Sequence, residues 1–373
     1  MMKRIYAAIA LAFIFLLCSC GGSAVSSKNE ASSGGQPEKI DSRAAQGFME
    51  HYMSYLVDMN ENAKRSFYSS SLLQEAGMQQ EQQEPHPAGY LLGGDEASEN
   101  GRSYDASIFY EVTGKPGFSI DTYSYTLVKE DGTLKIDSIS KEESKELIGE
   151  GDSISVKKDE EADKKQAVSL DELPEYSVMQ RGASPEQKFS VPKDRFTSCG
   201  MTQEGDTVIV TTSDSKGNGC FIAKVTIKDE EQAVKQEDEM EGGQKSEDQQ
   251  AGGQKGQPQQ QEKSSGNVKP IDLISDCQAN GITFSPEFDK FIVGLLYSDG
   301  TKDFRIYDME SGEMVEVDIP ILGSQLSSSL PYFISKNQIV FTITPSEGAT
   351  DDEKSYGGKW EYELESKEFE QIE

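Results

Sequence analysis

The chain has 373 residues, with 66 Asp and Glu against 36 Lys and Arg, a formal charge of −30, and 35% hydrophobic residues. That charge argues against nucleic-acid binding, which rests on Lys and Arg neutralising phosphates, and against lying flat on an anionic membrane. The length allows two domains, and the many Gln, Glu, Ser and Gly residues imply substantial chain that cannot build a core.

In chain order, Lys3 and Arg4 precede an apolar run from Ile5 to Leu17, which is followed by Leu17-Cys18-Ser19-Cys20. A basic start, about a dozen apolar residues and a small residue before the cut describe a secretory signal peptide, residues 1–19. The last four residues resemble a bacterial lipobox, which implies that Cys20 becomes the lipidated N-terminus, anchored at the outer face of the cytoplasmic membrane of a Gram-positive-like bacterium. Cleavage removes Lys3 and Arg4 and no acidic residue, so the lipid has to supply membrane attachment. Residues 20–40 read as a lipidated flexible tether reaching about 25 Å. Of the five cysteines only Cys199, Cys220 and Cys277 then remain. Their odd number and irregular spacing are not a disulfide framework.

Residues 41–148 read as an α+β domain. Ala45, Phe48, Met49, Tyr52 and Leu56 recur at helical spacing behind Asp41 or Ser42 as a cap. A second helix is expected from Asn60 to Ala76, stopped by Gly77, and a loop over residues 78–101. Tyr104, Ala106, Ile108, Tyr110 and Val112 alternate as a strand with one apolar face. Tyr123, Tyr125 and Leu127 follow after a hairpin, and the spacing from Ile120 to Tyr123 implies a bulge or bend. Asp131-Gly132 turns the chain into Leu134–Ile139. The element order and the phrase from Lys129 to Ile139 resemble the NTF2-like superfamily, which implies helices on a curved antiparallel sheet and room for a conical pocket.

Residues 149–194 are expected to be a charged connector. From residue 195 to 373 an all-β module follows, with three sets of strands of which the second strand is the most apolar: Thr207–Val210, Phe291–Tyr297 and Gln338–Ile343. Residues 229–268, almost all Gln, Glu, Lys, Gly, Ser and Asp, read as a disordered acidic insertion within the first set, with a linker between separate domains as the alternative. Phe284-Ser285-Pro286-Glu287-Phe288-Asp289-Lys290 and Arg305–Glu313 resemble the blade signature of TolB-like (WD40-like) β-propellers. Met201–Asp206 and Phe333–Asn337 echo the first of these. Three units imply blade-like antiparallel sheets forming an incomplete propeller, because closed propellers typically need four or more blades.

Chemistry is sparse in the sequence. His51 and His86 are the two histidines, and no Gly-x-Ser-x-Gly, His-Glu-x-x-His or P-loop string occurs. Asp214-Ser215-Lys216-Gly217-Asn218-Gly219 has Lys where a calcium loop needs an oxygen donor and reads as a hairpin turn. Trp360, Tyr362 and Leu364 alternate with Glu361, Glu363 and Glu365, the pattern of a packed strand face. No catalytic residue, cofactor or metal ligand is nominated, and Cys20 is the one modification site. The expectation is a non-catalytic, membrane-anchored lipoprotein that binds a protein or envelope component. The alternative is an envelope hydrolase acting on glycan or peptide through carboxylates.

Overall fold

The computed structural model describes residues 39–76, 86–97, 101–112, 115–158, 164–178, 187–227, 268–317 and 326–372. The signal peptide, Cys20, nearly all of the tether and nearly all of the acidic insertion lie outside the described residues. Residues 39–373 group as one unit.

Helix α1 (Ser42–Val57) starts at Asp41, whose carboxylate accepts the Ala44 N–H, and buries Ala45, Met49, Tyr52, Met53 and Val57. The single helix expected from Asn60 to Ala76 is instead two, α2 (Glu61–Arg65) and α3 (Ser70–Ala76). The break has a cause in pairing. Ile136 donates its N–H to Phe67 O and accepts the Ser69 N–H, both at 2.8 Å, so Tyr68 joins the sheet rather than a helix. Ser69 then accepts the Leu72 N–H through its hydroxyl and starts α3.

The sheet beneath is a six-stranded antiparallel meander, β1 (His86–Ala97), β2 (Arg102–Glu111), β3 (Gly117–Glu130), β4 (Thr133–Glu150), β5 (Ser153–Lys158) and β6 (Lys165–Ser169). Strand β1 corrects the expected loop over 78–101. Tyr90, Leu91 and Leu92 pair with Ile108, Ser107 and Ala106, and the glycines and Pro87 sit at two register shifts on this edge strand, where they are tolerated. The register shift between Thr122 and Tyr123 is the bulge implied by the Ile120–Tyr123 spacing. Asp131 and Gly132 both take positive φ, at 51° and 76°, as a tight I′ hairpin requires. Strands β5 and β6 correct the expected connector over 149–194. Ile154, Val156 and Val168 are buried; Ile154 and Val156 do alternate with Ser and Lys, but over two apolar positions only, in a stretch whose charged residues dominate the pattern.

After a short 3₁₀ turn and the two-residue pair β7 (Tyr176–Ser177) and β8 (Phe189–Ser190), three blade-like sheets follow. The first has the order β12-β11-β10-β9, from β9 (Arg195–Met201), β10 (Thr207–Ser213), β11 (Gly219–Thr226) and β12 (Val268–Ser275). The second is β13 (Cys277–Phe284), β14 (Lys290–Tyr297), β15 (Lys302–Asp308) and β16 (Met314–Val315). In the third, β17 (Leu326–Ser328) and β18 (Tyr332–Phe333) both pair with β19 (Gln338–Pro345), which continues to β20 (Gly358–Glu363) and β21 (Phe369–Gln371). Pro331 interrupts what would be one inner strand.

The signature residues build the same turn in the first two sheets. Ser285 donates to Asp289 at 2.7 Å and Thr202 to Asp206 at 2.9 Å, with Phe288 and Gly205 at positive φ between them. In the third, Ser335 caps Gln338 in a shorter turn. Phe288 stands where the signature has glycine, at φ 54°, a conformation that costs a side-chain-bearing residue about 1–2 kcal/mol. Its ring meets Phe109 of β2 edge-on at 5.4 Å, and Phe284 meets Phe118 of β3 at 5.8 Å. These contacts belong to one core that takes residues from β2 to β6 and from the first two blades. A second core lies between the helices and β2 to β4, and a third between the second and third blades.

Two outcomes are expected from this arrangement. Thermal or urea unfolding should rank wild type above Phe288→Gly, and Phe288→Gly above Phe288→Ala. Glycine relieves about 1–2 kcal/mol of backbone strain but loses two ring pairs, with Phe109 and Phe284, worth about 0.5–1.5 kcal/mol each beyond the apolar area they bury, and alanine keeps the strain and loses the ring too. A Phe288→Gly protein as stable as wild type would show the ring contacts to be worth no more than the backbone strain they offset. Separately, Val225 pairs with Val268, so the ends of the insertion are neighbours and loop length carries only a logarithmic cost. Replacing Asp229–Asn267 by a short Gly-Ser turn should leave the unfolding midpoint and its cooperativity close to wild type.

Candidate functional site

The N-terminal sheet and the inner strands of the blades border a half-open cavity of about 930 Å³. Its walls come from the end of α1 at Asp58, the ends of β1 and β2 at Pro87 and Glu111, and β9 from Arg195 to Ser198. The remaining wall is β13 from Gln278 to Gly281, the interruption at Ser329–Pro331, and Lys359 of β20. The interruption is held in place by its backbone and hydroxyls. Ser329 donates its N–H to Thr342 O at 2.8 Å and accepts the Thr342 N–H at 2.9 Å through Oγ, and Thr283 donates to Pro331 O at 2.9 Å.

Glu111 is the unusual group on this wall. Burial pushes its carboxyl up to about 7, against hydrogen bonds from the Ser198 hydroxyl and the Ile282 N–H, which favour the ionised form. The Ser198 bond is long, at 3.4 Å. The carboxyl reaches its place because residue 281 is glycine: a Cβ there would lie 2.5 Å from Glu111 Oε1, and the backbone holds φ at 136°. Next to it, the Cys199 thiol is raised by burial and then by Glu111. The second carboxylate on the wall, Asp58, is committed. Lys359 Nζ binds it at 2.8 and 3.0 Å, and Tyr332 donates to it at 3.1 Å.

Around the same cavity stand Lys115, Arg195 and Lys302. Arg195 Nη2 donates to Gln278 Oε1 at 3.0 Å, linking the first blade to the second. No carboxylate lies within salt-bridge distance of any of the three among the described residues.

The residues weighed from sequence fall elsewhere. His51 lies on α1 against Tyr55 and Phe67, and His86 begins β1. Asp214 accepts the N–H groups of Lys216 and Asn218 around Gly217 at φ 75°, which is the hairpin turn expected there. Trp360 stacks on Phe369 at 4.1 Å and donates to Tyr356 O at 2.7 Å, a packed position. Cys199, Cys220 and Cys277 are free and buried, and β10 separates the first two. Among the described residues no cluster of three or more His, Cys, Asp or Glu is placed to hold a metal. Among the described residues no helix is long and apolar enough to cross a membrane. Sequence reasoning missed Glu111, Arg195 and Lys302 because all three sit at strand ends. The usable signal was Gly281 within a strand, which marks a close backbone approach.

No family model and no curated protein matches the chain. Among solved structures it is similar to TolB from Acinetobacter baumannii, with a TM-score of 0.31 and 9% identity, covering 82% of this chain and 60% of that one. It is also similar to a putative 6-phosphogluconolactonase from Bacteroides uniformis, with a TM-score of 0.29 and 10% identity over 78% and 71% of the two chains. A third, prolyl oligopeptidase B from Galerina marginata, gives a TM-score of 0.26 and 9% identity over 82% and 44%. The chain thus spans less than two thirds of the TolB and peptidase chains.

The raised Glu111 carboxyl has a consequence for stability. Below about pH 4.5, its ordinary value, it is protonated in the folded and unfolded chain alike. Between there and about pH 7 the unfolded chain loses the proton while the folded one keeps it, so this group's contribution falls as pH rises through that window. Glu111→Gln is neutral throughout. Its unfolding midpoint relative to wild type should rise across pH 4.5 to 7 and level off above, as read by thermal melts in buffers of matched ionic strength.

Proposed function

We propose that this chain is a lipid-anchored extracytoplasmic binding module that does no chemistry of its own, with the cavity as its ligand site. In this reading Cys20 carries the lipid, the α1–β4 region is an NTF2-like unit nearest the membrane, and the blade-like sheets present the binding surface. The observation that carries it is the cavity. It is walled by both halves of the chain, and its two carboxyl groups are engaged by Lys359, Tyr332 and Ser198 rather than arranged as nucleophile and base. A rival reading has one specific support, because a carboxyl at about 7 is where a general acid works. Glycoside hydrolysis pairs two carboxyl groups across the bond, however, and Asp58, the other one on the wall, is held by Lys359 and Tyr332. That commitment favours binding.

The anchoring part is tested by Cys20→Ala, which should leave an unacylated or unprocessed precursor. Normal lipid labelling of that variant would remove Cys20 from the reading. The site is tested by a photo-crosslinking residue at Asn280, exposed on the cavity wall, in intact cells. Adducts should form there and not from a control position on β21. Adducts at both or at neither would remove the cavity as the ligand site. Hydrolysis of an envelope glycan by the purified chain, abolished by Glu111→Gln, would favour the enzyme instead.

A further inference from the structure

The charge on the cavity wall runs opposite to that of the chain. Acidic residues outnumber basic ones, 66 to 36, over the whole sequence, yet Lys115, Arg195, Lys302 and Lys359 face only Asp58 and Glu111 in the cavity lining. Lys359 and Asp58 cancel each other in a salt bridge at 2.8 Å. What remains is three cations, of which Lys115 also feels the Glu150 carboxylate from outside the lining, and the buried Glu111 carboxyl, on a protein whose general field repels anions.

Those three cations have the right chemistry for a ligand that is itself charged. Arg195 offers a planar fork whose Nη2 is already oriented by Gln278, the geometry that suits carboxylate and phosphate oxygens. Lys115 and Lys302 offer compact ammonium groups from two other elements, the approach to β3 and β15 respectively. A neutral ligand would leave Lys302 and the rest of the Arg195 fork to water, and Lys115 to water and Glu150. An anion of one charge would leave two.

We propose that the cavity binds a compact polyanion, a molecule carrying several phosphate or carboxylate oxygens, with Arg195 and Lys302 as its main ligands and Lys115 as a third. This rests on the reading of the cavity as the ligand site. The overall negative charge then works as a filter. It slows association of large anionic surfaces while leaving a local well for a small anion, and the contacts at the rim are weakened by salt because exposed charges are screened within about 8–10 Å.

The test is calorimetric titration of the full lipidated chain in neutral detergent with pyrophosphate, with citrate, and with trehalose as an uncharged probe. Pyrophosphate or citrate should bind and trehalose should not, and whichever binds tighter assigns the oxygens to phosphate or carboxylate. Affinity should fall at least tenfold in Arg195→Gln and further in the Arg195→Gln, Lys302→Gln double variant, and several-fold between 50 and 500 mM salt. Lys354→Gln, on the short helix Asp351–Lys354 outside the cavity, should bind as wild type. Both replaced cations are exposed, and circular dichroism checks that the variants fold. Binding by neither anion at millimolar concentration, or binding unchanged in the double variant, would overturn the proposal. Crosslinking from Asn280 separates the two claims, since adducts that persist in the double variant leave the cavity as a site and remove only the polyanion.

Discussion

Blade-like sheets arranged in an open set leave their innermost strands with an apolar flank that no further blade covers, and burying that flank is the constraint on which the rest of this fold depends. The N-terminal sheet does it. Strands β3 and β4 lie against β9, β1 and β2 against β13, and β1 against β18, so one sheet touches the first strand of every blade. The contact is made by rings. Phe109 and Phe118 from the sheet meet Phe288 and Phe284 from the second blade, and Gly200 of the first blade leaves room for Phe284, since a Cβ there would lie 2.6 Å from the ring. The cavity is what remains where the rings stop, so the same contact that closes the core also sets the distance between the cavity walls.

A second join is polar and lies between the first two blades. Asp272 of β12 is fully buried, and Arg305 and Tyr307 of β15 reach its Oδ2 at 2.7 and 2.8 Å. The Leu273 N–H supplies Oδ1 at 2.8 Å. With every acceptor engaged such a pair is not a large net source of stability, but stripping one partner from it typically costs about 3–5 kcal/mol. It therefore fixes which strand faces which. A slip of one residue in β12 would point Asp272 away from both partners. Burial and this carboxylate also hold the Tyr307 phenol in its protonated form.

Local grammar was readable in the sequence, and mutual burial was not. Asp41 as a cap, the Asp131-Gly132 turn, the Asp214–Gly219 turn and the apolar second strands all follow from short-range rules, and the structure has each of them. Strand β1 was hidden by Gly89, Gly93, Gly94 and Pro87, which signal a loop unless a neighbouring strand supplies the pairing. Strand β2 showed one apolar face through Tyr104, Ala106 and Ile108. Its other face, with Ser103, Asp105, Ser107 and Glu111, reads as solvent-exposed, and Phe109 alone hints that it too is covered. A period of two reveals which residues share a face but is silent on what another part of the chain will lay against it. The cavity residues were illegible for the same reason, since their meaning comes from strands far apart in sequence.

The placement of the acidic insertion acquires meaning from strand direction. In the first blade, Arg195 pairs with Ser213 and Cys220 with Ile274 at one end of the sheet, whereas Thr207 pairs with Thr226 and Val225 with Val268 at the other. The cavity takes residues from the first end, and the insertion joins the second. Segments that attach there can drift in length, sequence and charge over evolutionary time with little consequence for the ligand site, while the loops at the opposite end are bound to it. Homologues of this chain should accordingly diverge fastest at one pole of the blade and slowest at the other.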